Sequence, residues 1–401
     1  MAARIGPWVG VCAAAALAAC GFDPSSAGGA GGGDGASDAS PGAADAAPGA
    51  PDGGRPPRDA GPGDGDAGAA PGRQKAITIP AGRVGENLDG FPLYVELVDD
   101  TELAARAAAD GSDIHFRTQN GTPLAHEIQR WDPASGRLEA WVRVSLSAGA
   151  STVILLRYGD PAASVPENPA GVWQSGFAAV WHLEETPAGP GSIVDSRGDH
   201  PGTSHGAMTP GDLVPARLGR GIDFDGNDDV IEFSNPLPGS GPHTISAWVR
   251  QEASNSNDAL VVLGNGVCDQ ARWLHSRFSQ GTVAYGFYCD DNLDSGEDIQ
   301  GDGFTLLHWT YDDGAVSRLY RDGVQVGDPF DHEGEQSTVG DRGRIGNAPG
   351  RFGPNMGLNA VVDEVRISAV ARSAAWIAAE HANQSSPGTF YTIGLEQPAA
   401  P

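Results

Sequence analysis

Gly221-Ile-Asp-Phe-Asp-Gly-Asn-Asp-Asp-Val-Ile-Glu-Phe233, followed after a loop by His243-Thr-Ile-Ser-Ala-Trp-Val-Arg250, decides the fold. Ile222 and Phe224 alternate with Asp223 and Asp225, and Ile245, Ala247 and Val249 share one face of the next segment. A period of two, with Gly, Asn and Pro between the runs, marks a half-buried antiparallel sheet. Asp225 to Asp229 reads as a tight reversal, since Gly and Asn tolerate the left-handed backbone such a turn needs, with Val230, Ile231 and Phe233 starting the return strand. The grammar repeats in Trp273 to Phe278, Thr282 to Cys289, Leu306 to Tyr311, Ser317 to Tyr320, Arg344 to Gly346 and Ala360 to Ile367. This part of the chain is therefore expected to be a β-sandwich.

Upstream, short alternating runs recur from Lys75: Ala76 to Ile79, Phe91 to Leu97, Asp113 to Arg117, Glu127 to Trp131, Leu138 to Val144 and Thr152 to Gly159. Turn residues separate them at spacings usual for an all-β domain, and Glu102 to Ala109 is Ala-rich enough for a short helix. The pieces "GSDIHF", "NGTPLAHEIQRWD", "AWVRV" and "ILLRYGD" resemble, in order, the bacterial family known as domain of unknown function 2341. That resemblance implies no established activity, but it does imply that a carbohydrate-type sandwich follows. "VWHLEE", "GIDFDGNDDVIEF", "HTISAWVR", "LHWTYDDG", "RLYRDG", "RIGN" and "VVDEVRIS" resemble the LamG-like, concanavalin A-like jelly-roll domain, with Ser373 to Asn383 as the short helix after the last long strand and Tyr391 to Leu395 as a closing strand. The expectation is an all-β chain with two β-sandwich domains, residues 75–160 and a LamG-like jelly roll over 176–397, joined by a connector at 161–175.

The N-terminal segment has a different character. Residues 1–20 carry Arg4, then an apolar run shorter than the roughly 20 residues a membrane-spanning helix takes. It reads as an export signal, and Leu17-Ala18-Ala19-Cys20 resembles the bacterial lipobox, in which the Cys is acylated and becomes the mature N-terminus. Residues 21–74 are Gly, Ala, Pro, Ser and Asp with almost no large apolar side chain, so they read as a disordered tether with a reach on the order of 40 Å. The expected location is the cell envelope, outer membrane or cell surface, with Cys20 held in a lipid bilayer. A net charge of −27 argues against nucleic acid as a partner, because phosphate backbones are repelled.

Several residues are candidates for chemistry. Cys268 and Cys289 flank an expected hairpin pivoting at Ser279-Gln280-Gly281, and an oxidising compartment would favour a disulfide between them, stabilising by about 3 kcal/mol; two unpaired thiols are the alternative. The LamG-like resemblance implies one structural calcium ion, which places Asp195 in the "DSRG" loop and Asp363 in "VVDEVRI" as ligands; the alternative is a turn cap and a solvated carboxylate. Trp273, Tyr285 and Tyr288 on the hairpin could stack on a sugar ring or could pack inward, while Trp248 and Trp309 match positions expected in or near the core.

Other patterns do not carry chemistry. Gly202-Thr-Ser-His-Gly206 has neither the strand before it nor the helix after it that a nucleophile elbow needs, and Asp290 to Asp298 lacks the closing Glu of an EF-hand and reads as an acidic solvent loop. Adjacent carboxylates at Glu184-Glu185 and Asp363-Glu364 would point to opposite faces of a strand and could not flank one glycosidic bond. No catalytic residue is expected. The function expected is non-catalytic recognition of glycans or cell-surface proteins, with a purely structural envelope scaffold or a glycan-acting hydrolase as the alternatives.

Overall fold

Alternation at Ile222 and Phe224 sets which side chains point inward, and the strand Arg220–Asp225 buries both completely. This strand pairs antiparallel with Asn359–Ser368, which pairs on its other side with His243–Ala253. They belong to an eight-stranded sheet that continues through Thr305–Tyr311, Val316–Arg321 and Val324–Asp331. A seven-stranded sheet faces it, in the order 292–298, 282–287, 271–277, 257–264, 342–345, 230–234, 203–205. Side chains of both sheets, among them Phe224, Ile245, Trp309 and Val362 from one and Ile231, Leu263, Leu274 and Phe287 from the other, form one apolar core. The computed structural model describes residues 72–399, apart from 161, 163–164, 254–256, 269, 278–281, 289–291, 333–335 and 349–355. The signal segment with Cys20, all but the last residues of the tether, the hairpin pivot and Cys289 lie outside the described residues.

The return strand expected after Asp229 does not pair with its predecessor. Val230–Ser234 pairs with Arg342–Ile345 and Thr203–His205 in the seven-stranded sheet. Asp225 to Asp229 is thus an arch from one sheet to the other, not a hairpin turn. Alternation reports which face is buried, not which strand is the neighbour: Ile222 with Phe224 and Ile231 with Phe233 reach the same core from opposite sides. Asn292–Asp298, acidic enough to read as a solvent loop, is instead the strand at the edge of the seven-stranded sheet, where charged side chains discourage pairing with another chain.

The N-terminal sandwich sets a sheet of Leu88–Leu97, Arg137–Leu146 and His126–Asp132 against one of Arg73–Ile79, Thr152–Tyr158 and His115–Thr118. The short helix Thr101–Arg106 starts on Asp100, whose carboxylate accepts the Leu103 N–H. The chain's last segment completes this sandwich. Thr392–Ile393 and Gln397–Pro398 pair with Arg73–Ile79. The helix Ala374–Ser385, capped by Ser373, lays Trp376 and Ala379 on the N-terminal core. Asn383 accepts the Tyr94 N–H at 2.7 Å and donates to the Tyr94 carbonyl at 2.9 Å, and the Tyr391 hydroxyl accepts the Glu96 N–H at 2.7 Å. Residues after about 373, grouped by sequence with the C-terminal domain, thus also pack on the N-terminal one.

A buried polar network joins the two sandwiches. On the outer face of the eight-stranded sheet the Arg366 guanidinium lies 4.3 Å from the Trp141 ring centroid and 4.8 Å from that of Trp173. It donates to Glu364 at 2.6 Å and also to Glu380 of the helix. His182 bridges Glu364 (2.7 Å) and Glu127 (3.3 Å), and Glu127 also accepts from Trp173 and Ser196, each at 2.7 Å. Burial disfavours charge on His182, but Glu364 and Glu127 outweigh it and hold the imidazole well above its ordinary value. Burial likewise opposes charge on Glu380, yet Arg366 and His308 pull it down to about 2.

Because the folded value for His182 is raised, its stabilising contribution is full below the unfolded value of about 6.5 and is lost as pH rises through the folded value. His182→Gln should cost about 3 kcal/mol at pH 6. Its deficit against the parent chain should narrow steadily at alkaline pH in urea-unfolding series; a pH-independent deficit would refute a charged His182.

Candidate functional site

The outward face of the seven-stranded sheet carries a groove. Cross-strand neighbours share a face, so one row runs Thr203, Glu232, Arg344, Val262, Trp273, Gly286 across six strands. The sequence explains the row locally. In Val230-Ile-Glu-Phe-Ser234 and Arg342-Gly-Arg-Ile345 the apolar residues Ile231, Phe233 and Ile345 are committed to the core, which turns Glu232, Arg342 and Arg344 outward. Two hollows lie side by side here and share Asp341 and Arg342. One, about 630 Å³, is lined by Val262, Gly264, Asn265, Gly266, Gly340 and Arg344; the other, about 560 Å³, is lined by Thr203, His205, Glu232 and Ser234.

Glu232 is the centre of this face. It pairs with Arg344, with Arg342 at 3.2 Å and with His205 at 3.4 Å. The side chains of Arg342 and His205 remain 66 % and 48 % exposed, so both can also serve a ligand. His200 shares a 2.6 Å hydrogen bond with Ser234 at the rim. The other hollow is floored by backbone: a Cβ at Gly264, whose φ is +97°, would lie 2.5 Å from the Gln270 carbonyl oxygen. Guanidinium and imidazole donors beside a carboxylate acceptor and bare backbone suit a hydroxyl-rich ligand, which needs both donors and acceptors in an open trough.

The residues singled out by sequence fall in different places. Tyr285 points into the inter-sheet core at 4 % exposure, so its ring is not open to a sugar. Its strand alternates Val283, Tyr285 and Phe287 inward. Trp273 is on the outward face but lies under Met356 and Ala348, 5 % exposed. Tyr288 meets it edge to face, 5.2 Å between centroids, and is only partly buried. The pair forms an apolar wall beside Val262 rather than an open stacking platform. Trp309 is in the core; Trp248 is buried on the opposite side of its sheet, donating to Gln384 at 2.6 Å. Cys268 follows the strand Asn257–Gly264. Glu232, Arg342, Arg344 and His205 were not singled out by sequence; the alternation that turns them outward was legible, but the register that gathers them was not.

Backbone amides engage both Asp195 and Asp363, the two carboxylates that the resemblance implies as cation ligands. Both Asp195 oxygens are taken by amides: Oδ1 accepts from Val180 (2.9 Å) and Arg197 (3.0 Å), Oδ2 from Asp199 (3.1 Å) and His200 (2.9 Å). Four N–H donors aimed at one carboxylate fasten this loop. Asp363 is fully buried, with Oδ2 accepting the Leu218 N–H at 2.7 Å. Burial, with Glu364 beside it, pushes its carboxyl well above the ordinary range. Glu364 itself has a left-handed backbone (φ 56°) in a bulge against His243–Ala253, which turns it to the network while Asp363 faces Leu218.

Residues 225–378 match the concanavalin A-like lectin/glucanases superfamily, and residues 110–184 match the domain of unknown function DUF2341. The chain thus carries a DUF2341 segment followed by a LamG-like, concanavalin A-like domain. No curated protein matches the chain. Among solved structures, domain 4 of an extracellular GH43 arabinanase from Geobacillus stearothermophilus, in complex with arabinotriose, aligns at 16 % identity over 50 % of this chain and 96 % of its own, with a TM-score of 0.40. A sialidase from Trypanosoma rangeli aligns at 11 % identity over 63 % of this chain and 43 % of its own (TM-score 0.40). The binding domain of Paraclostridial Mosquitocidal Protein 1 aligns at 15 % over 51 % and 52 % (TM-score 0.39).

Replacing Asp195 by Ala strands four amides and should cost at least about 3 kcal/mol. If the carboxylate is a loop cap, that loss is the same with calcium or chelator present, and any calcium response of the parent chain survives intact. A calcium response abolished in Asp195→Ala would favour the metal reading.

Proposed function

We propose that this chain is a lipid-anchored protein of the cell envelope that binds glycans, without catalysis, in the groove on the outward face of its seven-stranded sheet. The observation that carries this reading is the gathering of Glu232, Arg342, Arg344 and His205 beside a backbone-floored hollow. The match of residues 225–378 to a superfamily named for lectins and glucanases supports it. A net charge of −27 favours a neutral glycan over a polyanionic one. Among the described residues, the acids lining the groove are Glu232 and Asp341, and Glu232 is engaged by Arg342, Arg344 and His205, whereas glycoside cleavage takes two carboxyl groups free to act on either side of one bond.

Anchoring rests on Cys20 after its apolar run, and the acidic, Gly-rich segment behind it would hold the sandwiches clear of the lipid. A Cys268–Cys289 bridge is part of the proposal, supported by the Tyr288 N–H donating to the Ala271 carbonyl at 3.0 Å, which brings the chain next to Cys289 within three residues of Cys268.

On a panel of neutral polysaccharides, Arg342→Ala and Glu232→Gln should each weaken binding by about 10-fold or more, the worth of one charge-assisted hydrogen bond. Binding by neither the parent nor the variants would leave the scaffold reading, and release of reducing ends would overturn the non-catalytic one. In cells, Cys20→Ser should move the protein from the membrane fraction to the soluble one; unchanged fractionation would remove the lipid anchor.

A further inference from the structure

The arch between the two sheets of the C-terminal sandwich holds three carboxylates, those of Asp225, Asp228 and Asp229, with one oxygen of each within 4.8 Å of the others. Among the described residues none of them makes an ion pair. A second observation separates this group from an ordinary acidic turn. Asp229 is 4 % exposed, and while Oδ2 accepts the Asp225 N–H at 3.2 Å, the buried Oδ1 has no hydrogen-bond partner. A buried carboxylate oxygen without a partner, on a residue clustered with two other acids, is costly unless something positive meets it. Burial, with Asp225, Asp212 and Asp228 adding repulsion, pushes the Asp229 carboxyl up to about 6.

We infer that Asp225, Asp228 and Asp229 form a divalent-cation site, and that its ion is calcium. All donors are hard oxygens. Three carboxylates supply three to six of the six to eight oxygens calcium takes, and exposed Asp225 and Asp228 leave room for water to supply the rest. Magnesium, which demands a near-ideal octahedron, suits a turn of this shape less well. The arch is already fastened on the side away from solvent. Its Gly226 N–H donates to the Leu358 carbonyl at 2.9 Å, and the Asn227 carbonyl accepts from Asn347 at 3.1 Å. An ion here would tie the end of the strand Arg220–Asp225 to the start of Val230–Ser234, the strand that carries Glu232 in the groove. The site stands whether or not the groove binds a glycan.

The test uses the full chain, stripped with chelator and titrated with calcium chloride alone in a calorimeter and in thermal melts. The parent should bind one calcium with a rise in Tm, more weakly with magnesium, and Asp228→Asn and Asp229→Asn should each raise the apparent Kd by at least about 10-fold. Asp228 is exposed, so its variant keeps the test valid if Asp229→Asn fails to fold. No heat and no shift in the parent, or undiminished binding in Asp228→Asn, would overturn the site.

Discussion

Arg366 packs against the indoles of both Trp141 and Trp173 with Glu364 and Glu380 on its two guanidinium ends, and no part of that arrangement is near water. A bare guanidinium there would cost several kcal/mol, a large share of a fold's net stability, so each partner matters once the charge is buried. The partners come from distant parts of the chain: Trp141 from the N-terminal sandwich, Trp173 from the connector, Glu364 from the long strand of the eight-stranded sheet and Glu380 from the last helix. His182 extends the network to Glu127. An apolar seam of similar area could slide; a set of directed, charge-assisted bonds has one geometry. The two sandwiches are held in a single arrangement by this network.

The closing segment makes the same point with backbone groups. Asn383 fills both hydrogen-bonding positions of Tyr94, and Thr392–Ile393 covers the edge of Arg73–Ile79. A sheet edge left open is a template for association, and here the far end of the same chain covers part of it. Chain order and spatial order part company: the jelly roll is inserted between the main part of the N-terminal sandwich and the piece that completes it.

The groove and the arch lie on one structural line. Val230–Ser234 directly follows Asp229 and carries Glu232 into the groove, so whatever steadies the arch steadies the carboxylate that pairs with Arg342, Arg344 and His205. This coupling needs no conformational change; it requires only that a strand be rigid along its length.

Much of this was legible in the sequence. Ile222, Phe224, Ile245, Ala247 and Val249 are buried as their alternation requires, Ser373 caps the helix it precedes, and the hairpin Ala271–Arg277 with Thr282–Phe287 forms where its turn residues put it. Period and punctuation are local properties, and burial of one strand face follows from them directly. What the sequence could not decide is which strand lies beside which. The expected return strand after Asp229 crosses to the other sheet, Tyr285 is in the core while Trp273 on the paired strand lies on the outward face, and the Asp195 carboxylate is consumed by amides that only the folded loop brings to it. The Glu232 cluster and the Arg366 network join residues more than a hundred positions apart. Pairing over such separations depends on the whole core closing at once, and so only the tertiary structure assembles the site.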